Sequence, residues 1–277
     1  MKPCISEATT LPRTFAEDVD DFAAAGCTGM EVWLTKLEQH LENHSAAFTR
    51  KLLDDHHMTL AAAAYQGGLL LSQGEQRKAY YDDYRRRLEL CQQFGIGILL
   101  LVADFQEAID ETALARAVVS LRQAAQWAAG FEVRLALEFR GKSTFCTSLD
   151  TAVALVAQCQ EPNVGVNFDV FHYYTGPSKF EDLALLTPVN LAFVQLSDIS
   201  GVPRESATDA DRVLPGDGDF QLQPIIERLR EIGYDGWVSL ELMNPNLWNT
   251  KAQQVVEVGL MALQRLLSPG VAKTRTT

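Results

Sequence analysis

The chain has 277 residues, 47% of them hydrophobic, and a formal net charge of −12 at pH 7. This length suits one barrel-sized domain of about 250 residues, and the acidic balance disfavours nucleic acid and anionic membranes as partners. Five widely spaced cysteines, none of them in a CxxC motif, disfavour a disulfide scaffold or a zinc knuckle and indicate reduced thiols.

The N-terminal segment MKPCISEATT lacks the apolar core of a signal peptide. No apolar run in the chain approaches the roughly 20 residues that a membrane span needs. We therefore expect a cytoplasmic protein that binds neither membrane nor nucleic acid. The basic segment 269–277 at the C-terminus is expected to be frayed.

Short apolar runs alternate with amphipathic stretches along the whole chain. Thr14 is a plausible N-cap for the first helix, and glycines follow several helices at the position where a helix commonly stops. The predicted strands are 2–7, 30–34, 60–65, 97–103, 133–139, 164–169, 191–196 and 237–242. The predicted helices are 15–25, 37–56, 73–94, 111–129, 149–158, 179–186, 222–231 and 253–267.

This alternation predicts a parallel sheet covered by helices, because continuously apolar strands are typical of sheets buried on both faces. Eight strand–helix units favour closure of the sheet, so we expect one (β/α)8 TIM-barrel domain over residues 1–277. An open dinucleotide-binding sheet is disfavoured, since neither GxGxxG after the first strand nor GxxxxGK[ST] is present. The glycines of Pro215–Asp219 are interpreted as loop geometry rather than a phosphate site, because aspartates accompany them.

Four polar residues lie at or near the ends of the last four apolar runs: Glu138, Asp169, Gln195 and Glu241. Ionised carboxylates are costly to bury alone, so their convergence requires a shared cation or bound protons. Carboxylate and amide oxygens suit octahedral Mg²⁺ or Mn²⁺ and leave positions for substrate oxygens. We therefore predict a divalent-metal site of these four residues, with Zn²⁺ or Co²⁺ less favoured.

His172 follows Asp169 by three residues and is predicted to orient a substrate hydroxyl or move a proton; a histidine bonded only to loop backbone is the alternative. Arg140 and Lys142 follow Glu138 closely, and either balance its charge or contact an oxygenated substrate. Both interpretations stay open for these two cations.

Three further residues are candidates for substrate contact. Glu31, inside the second strand, points into the barrel or pairs with an arginine. Tyr65 ends the third strand and either lines a pocket or packs against a neighbour. Arg204 lies in the long loop after Gln195 and carries the same ambiguity as the other loop cations.

The motifs LALEF, VGVNFDVFH, FVQLSD and SLELMNP, with PGDGDF between the last two, resemble the xylose-isomerase-like TIM barrels, or sugar phosphate isomerases/epimerases. The resemblance covers nearly the whole chain. It implies metal ligands at Glu138, Asp169 and Glu241, an acid/base role for both glutamates, and the histidine of an Asp-x-x-His pattern at His172. Gln195 stands where the epimerases usually have histidine and is similar to dehydroshikimate dehydratase-like members.

The same family usually has an arginine six residues after that histidine, whereas this chain has Gly201 there and Arg204 is the predicted substitute. The resemblance implies an isomerase or epimerase that moves a proton on a small polyhydroxy ketone or aldehyde through a metal-stabilised enediolate. A dehydratase acting on 3-dehydroshikimate or an inosose is the alternative. Endonuclease activity is disfavoured by the charge, and a barrel that only binds is disfavoured by the carboxylates. A homodimer is possible, and the substrate and its phosphorylation stay open.

Overall fold

The computed structural model describes residues 1–268, and the predicted tail 269–277 lies outside them. The barrel strands are β1 Lys2–Ser6, β2 Gly29–Trp33, β3 Thr59–Gln66, β4 Ile98–Val102, β5 Arg134–Glu138, β6 Val164–Asp169, β7 Leu191–Leu196 and β10 Trp237–Leu240. These eight parallel strands close into a barrel in the order β1-β10-β7-β6-β5-β4-β3-β2, which confirms the predicted fold class. Two short strands, β8 Asp198–Ile199 and β9 Arg212–Val213, form an antiparallel ribbon after β7.

Helices surround the barrel. The α-helices are α1 Phe15–Ala24, α2 Leu34–Leu41, α3 Ala46–Asp55, α4 Gly74–Phe94, α5 Glu111–Ala129, α6 Leu149–Cys159, α7 Val170–Thr175, α8 Leu222–Glu231 and α9 Ala252–Leu267. Four 3₁₀ helices add Glu7–Thr10, Phe180–Leu185, Asp209–Asp211 and Leu247–Asn249. Within residues 1–268, no helix combines the length and apolar character needed to cross a bilayer.

Local capping chemistry accounts for the helix boundaries. Thr14 caps α1 as predicted, with a reciprocal bond from its backbone N–H to Glu17. The predicted helix 37–56 is wrong as a single element, because Ser45 accepts a hydrogen bond from the N–H of Phe48 and starts a new helix there. The predicted helix 179–186 is a 3₁₀ helix, and the six-residue α7 was not predicted.

Side chains pointing into the barrel fill its lower half with apolar groups. Cys4, Leu100, Ala136 and Phe193 belong to one buried cluster there, and Trp237 packs against it. Gly29 has no side chain because a Cβ at this position would overlap the Trp237 ring. The strand ends opposite this apolar layer are left for polar groups, as is usual in barrels of this type.

The loop between β9 and α8 is held against the β8–β9 ribbon by one carboxylate of β8. The Asp198 carboxylate accepts hydrogen bonds from the N–H groups of Ile199, Gly216 and Phe220, at 2.9, 3.1 and 2.9 Å. Gly216 has φ +94°, and a Cβ on Gly218 would overlap the Asp198 side chain. The Pro215–Asp219 segment therefore wraps around a carboxylate, which agrees with its interpretation as loop geometry.

A group of buried charges lies beside β1 and β2, and we call Glu7, Asp18 and Lys36 the Lys36 cluster. The Lys36 ammonium donates to Asp18 Oδ2 at 2.5 Å and to the carbonyls of Glu7 and Thr10 at 3.2 and 3.0 Å. Glu7 Oε2 accepts a hydrogen bond from the Trp33 N–H at 2.7 Å. The cluster thereby holds the loop after β1 against the end of β2.

Candidate metal centre and active-site cavity

Three buried side chains meet at the carboxyl ends of β5 and β6. Glu138, Asp169 and His172 each place one potential ligand atom within 4.8 Å of the others. His172 Nε2 lies 3.7 Å from both Glu138 Oε1 and Asp169 Oδ2. Local structure explains the approach: Asp169 ends β6 and caps α7 by accepting the N–H of Phe171, and the first turn of α7 presents His172.

Arg212, on the β8–β9 ribbon, connects this group with Glu241, the third predicted carboxylate. Its guanidinium lies 2.7 Å from Asp169 Oδ2 and 3.3 Å from Glu241 Oε2, and it is only 1% exposed. Asp209 binds the same guanidinium at 2.8 Å, and the Phe171 ring lies 4.2 Å away. We call Glu138, Asp169, His172, Arg212 and Glu241 the mouth cluster.

Burial governs the protonation of the mouth cluster. Burial raises the pKa of Glu138 to about 7, although the positive charge of Arg140 opposes this shift. Burial likewise raises the pKa of Glu241 well above its usual value, against the charge of Arg212. The pKa of His172 falls to about 4, because burial and neighbouring arginines outweigh the charge of Asp169. Three carboxylates therefore face one buried guanidinium and a neutral imidazole.

These residues fit a divalent cation. The carboxylates outnumber the buried guanidinium, so a cation would offset the cost of ionising them inside the protein. The Nδ1 atom of His172 has no hydrogen-bond partner among the described residues. The donor set joins imidazole nitrogen to carboxylate oxygen, which accommodates Zn²⁺ as well as Mn²⁺ or Mg²⁺.

Gln195 lies on β7 beside Asp169 of the neighbouring strand β6. With Asn167 and Glu31 it forms a hydrogen-bonded set inside the barrel, which we call the polar row. Its Oε1 accepts a hydrogen bond from Asn167 Nδ2 at 2.6 Å, and its Nε2 donates to Glu31 Oε1 at 2.9 Å. A carbonyl oxygen has two lone pairs, so one acceptor position of Gln195 is left. Its role as a metal ligand stays a prediction.

A cavity of about 780 Å³ opens beside the mouth cluster, and His172 lies in its wall. Three predicted substrate contacts, Tyr65, Arg140 and Lys142, also line it. The other lining residues are Trp33, Thr35, Ala64, Gln66, Gly67, Gly68, Tyr80, Asp83, Arg87, Val102, Asp104, Gln106, Ser143, Phe171, Ala207, Thr208 and Asp209.

Two predicted substrate contacts lie elsewhere. Glu31 is fully buried in the polar row, where burial raises its pKa to about 7 against hydrogen bonds from Ser239, Gln195 and Ser6. Arg204 is 61% exposed, lies 3.6 Å from Glu205 and does not line the cavity. The cation that reaches the mouth cluster is Arg212, which the sequence analysis missed. Its position directly before the ValLeuProGlyAspGly motif was the available signal.

Residues 19–265 match the profile of the family described as xylose isomerase-like TIM barrel. The chain belongs to this family. It is 26% identical over 262 residues to an inosose isomerase of Bacillus licheniformis, covering 92% of this chain and 94% of that protein. It is 25% identical to a 3-dehydroshikimate dehydratase of Pseudomonas aeruginosa, covering 85% of this chain and 37% of that protein. The solved structure described as IOLI protein with a binding zinc atom has a TM-score of 0.90 at 24% identity, covering 97% of this chain and 98% of that one.

Proposed function

We propose that this protein is a divalent-metal-dependent isomerase that moves a proton between carbon atoms of a small polyhydroxy ketone. The observation that carries the proposal is the mouth cluster, in which Glu138, Asp169 and His172 converge beside an open cavity. The inosose isomerase relatives support it, because the match extends over more than nine-tenths of both chains. Relatives of both the isomerase and the dehydratase type share the family, so the finer assignment depends on the test below.

The predicted ligands Glu138, Asp169, Gln195 and Glu241 would hold the ion, and the His172 nitrogen lies close to two of them, Glu138 and Asp169. A divalent ion bound there supplies a Lewis acid that polarises substrate oxygens and acidifies the neighbouring C–H bond. Mn²⁺ and Mg²⁺ suit the oxygen donors, while the imidazole extends the choice to Zn²⁺. The metal itself is therefore to be measured on the purified protein.

Glu138 and Glu241 are assigned as the acid and base. They stand on β5 and directly after β10, at opposite ends of the four adjacent strands that carry the predicted ligands. A carboxylate with a pKa near neutrality, as burial produces at Glu138, can both remove and return a proton at pH 7. One glutamate takes the proton from carbon, and the other, as a carboxylic acid, delivers a proton to the neighbouring carbon. The hydroxyl proton of the first carbon passes to the former carbonyl oxygen, so that carbonyl and hydroxyl exchange places.

The remaining cluster residues position the acids and the substrate. Arg212 holds Asp169 through two hydrogen bonds, at 2.7 and 3.2 Å, and thereby fixes the carboxylate beside His172. Burial opposes its charge, but Asp169 and its other carboxylate neighbours raise the pKa of Arg212, so it does not donate protons at neutral pH. The neutral imidazole of His172 lines the cavity and is assigned to hydrogen bonding with a substrate hydroxyl.

Proton exchange from carbon tests the proposal. In deuterated water with Mn²⁺, the protein is expected to exchange a carbon-bound proton of an inosose, as followed by NMR. Glu241→Gln should slow this exchange at least about 100-fold, which is the usual contribution of a positioned acid or base. Glu227→Gln, at an exposed position on α8, is the matched control. If no exchange occurs with any member of a panel of polyhydroxy ketones, the isomerase proposal is wrong.

Dehydration is the second candidate, and Gln195 favours it. The amide occupies the position where the sequence resemblance associates histidine with epimerases, and a 3-dehydroshikimate dehydratase is among the relatives. A lyase would begin with the same proton removal and then expel a hydroxyl from the β carbon. Incubation with 3-dehydroshikimate would then generate a product with a new ultraviolet absorption band. An isomerase would not produce this band.

A further inference from the structure

Two cations line one side of the cavity without a carboxylate of the described residues within hydrogen-bond distance, although Glu138 acts on the charge of Arg140 and Asp211 on that of Lys142. Lys142 is exposed, and its ammonium donates a hydrogen bond to the neutral carbonyl of Ala207. Arg140 has Asp209 as its nearest carboxylate at 3.9 Å, and Asp209 is already held at 2.8 Å by Arg212. Among residues 1–268, no carboxylate lies within 4.0 Å of the Lys142 ammonium. Both cations therefore keep hydrogen-bond donors free for a ligand.

The other side of the cavity differs, because its charges are taken up within the protein. Arg87 lies 2.9 Å from Glu38 and 3.5 Å from Asp83. Asp104 accepts a hydrogen bond from the N–H of Gly68 at 2.5 Å. This side derives from β3, β4 and α4 and carries more acids than bases. The cavity is thus polarised, because the cations with unused N–H donors lie beside the loop that follows β5.

The sum of charges around the mouth cluster also favours an anionic ligand. Without the opposite wall, whose charges are taken up within the protein, the mouth cluster together with Arg140, Lys142 and Asp209 holds four carboxylates and three cations. One bound divalent ion would reverse the excess and leave a single positive charge. A neutral polyol would leave that charge uncompensated, whereas a substrate with one negative charge would neutralise it.

We propose that the substrate carries a carboxylate, which Arg140 and Lys142 bind while its ketone faces the mouth cluster. This inference rests on the proposed function for the position of the reacting carbon, but the binding of the carboxylate is independent of turnover. A guanidinium offers parallel N–H donors that match a carboxylate, and hydrogen bonds between charged groups are about twice as strong as neutral ones. A phosphate ester would carry nearly two charges at pH 7, which exceeds the single positive charge available.

Calorimetric titration of the Mn²⁺-loaded protein tests the proposal with three inert probes. Quinate is a cyclic polyhydroxy carboxylate, myo-inositol is a neutral cyclic polyol, and myo-inositol 1-phosphate supplies a phosphate. We expect quinate to bind at least tenfold more tightly than either of the other probes. Added NaCl should weaken quinate binding and leave myo-inositol binding nearly unchanged, because screening affects only the charged ligand.

Variants assign the effect to the two cations. Arg140→Gln and Lys142→Met are each expected to weaken quinate binding at least fivefold and to change myo-inositol binding less than twofold. Lys78→Met, at an exposed position on α4 outside the cavity, and Arg85→Gln, at an exposed position on the same helix, are the matched controls. Circular dichroism checks that each variant is folded. If a variant fails to fold, the salt dependence of quinate binding to the wild-type protein still tests the proposal.

Three results would overturn the carboxylate proposal: equal binding of quinate and myo-inositol, tighter binding of the phosphate, or equal losses for both polyols in the variants. Turnover separates this inference from the proposed function. If a neutral inosose exchanges its proton and Arg140→Gln leaves its KM unchanged, the isomerase proposal is supported and the carboxylate proposal is wrong. If quinate binding depends on Arg140 but no ketone exchanges, the carboxylate proposal is supported and the isomerase proposal is wrong.

Discussion

The Lys36 cluster and the mouth cluster both hold buried carboxylates around one buried cation, yet only the mouth cluster adjoins the described cavity. Lys36 directs three hydrogen bonds to protein oxygens, and burial, followed by the negative charge of Asp18, raises the pKa of Glu7 well above its usual value. The Lys36 cluster has two carboxyl groups for one ammonium, and a proton bound to Glu7 neutralises the second carboxyl group. In the mouth cluster, His172 lies in the cavity wall and a metal ion can take the proton's place.

This difference shows that a buried ion pair does not by itself identify an active site. Buried charged groups are stabilised when all their partners belong to the protein, as at Lys36. A ligand site needs, in addition, access from solvent and donor atoms that the protein leaves free.

Removing the cation of the Lys36 cluster is expected to cost the most stability. Lys36→Met leaves Asp18 buried without its partner, and breaking a buried pair costs about 3–5 kcal/mol of unfolding free energy. Urea denaturation measures this loss, and Lys78→Met is the exposed control. Metal content after Mn²⁺ loading should be unchanged. A loss below about 1 kcal/mol would show that the Lys36 cluster does not hold the loop after β1 against β2.

Removing the cation of the mouth cluster is expected to lower the unfolding free energy, and bound metal is expected to restore part of this loss. Arg212→Met should lower the unfolding free energy of the chelator-treated protein by about 2–4 kcal/mol, because Asp169 and Glu241 lose their buried partner. Mn²⁺ should then raise the Tm of the variant more than that of the wild type. Equal metal effects on the two proteins, measured by calorimetry, would argue that the carboxylates of this cluster do not hold the ion.

The smallest expected effect is the pH dependence of the metal-free protein. Burial raises the pKa of Glu31 from 4.5 to about 7, so the folded state keeps a proton that the unfolded chain releases. Unfolding free energy should therefore fall as the pH rises through this window, by on the order of 1–3 kcal/mol.

Denaturant titrations at pH 5, 6 and 7 after chelator treatment measure this pH dependence. Glu31→Gln should flatten the curve, since it removes one of the groups that binds the extra proton. Bound Mn²⁺ should also reduce the fall, because ionised ligands at the mouth are then compensated. A curve for Glu31→Gln parallel to the wild type would contradict the assignment of the shift to this residue.

The sequence predicted the fold well because strand and helix periodicity is local. Each predicted strand overlaps a barrel strand, and Glu138 and Asp169 are the last residues of β5 and β6. The split between α2 and α3 was missed because the capping bond of Ser45 competes with an otherwise continuous helical pattern. The short α7 was missed because six residues carry too little periodicity to identify a helix.

The site was harder to predict because its decisive contact joins distant segments. Arg212 reaches Asp169 only after β8 and β9 have paired, and pairing of two-residue strands leaves almost no sequence pattern. Arg204 is nearer to the expected position in sequence, yet it lies on the exposed part of the same loop. For Glu31, the pattern of β2 left open whether the side chain points into the barrel or pairs with an arginine. Its carboxylate accepts a hydrogen bond from the amide of Gln195.

The apolar layer around Cys4, Leu100 and Phe193, with Trp237 packed against it, makes the barrel blind-ended. Under the proposed function, metal, substrate, product and solvent would share one entrance, the rim that carries Arg140 and Lys142. A reaction product has to depart before the next molecule can reach the acids, and any group anchored on that rim governs both arrival and departure. Turnover would consequently be sensitive to how tightly the rim holds its ligand, even where the proton transfer itself is fast.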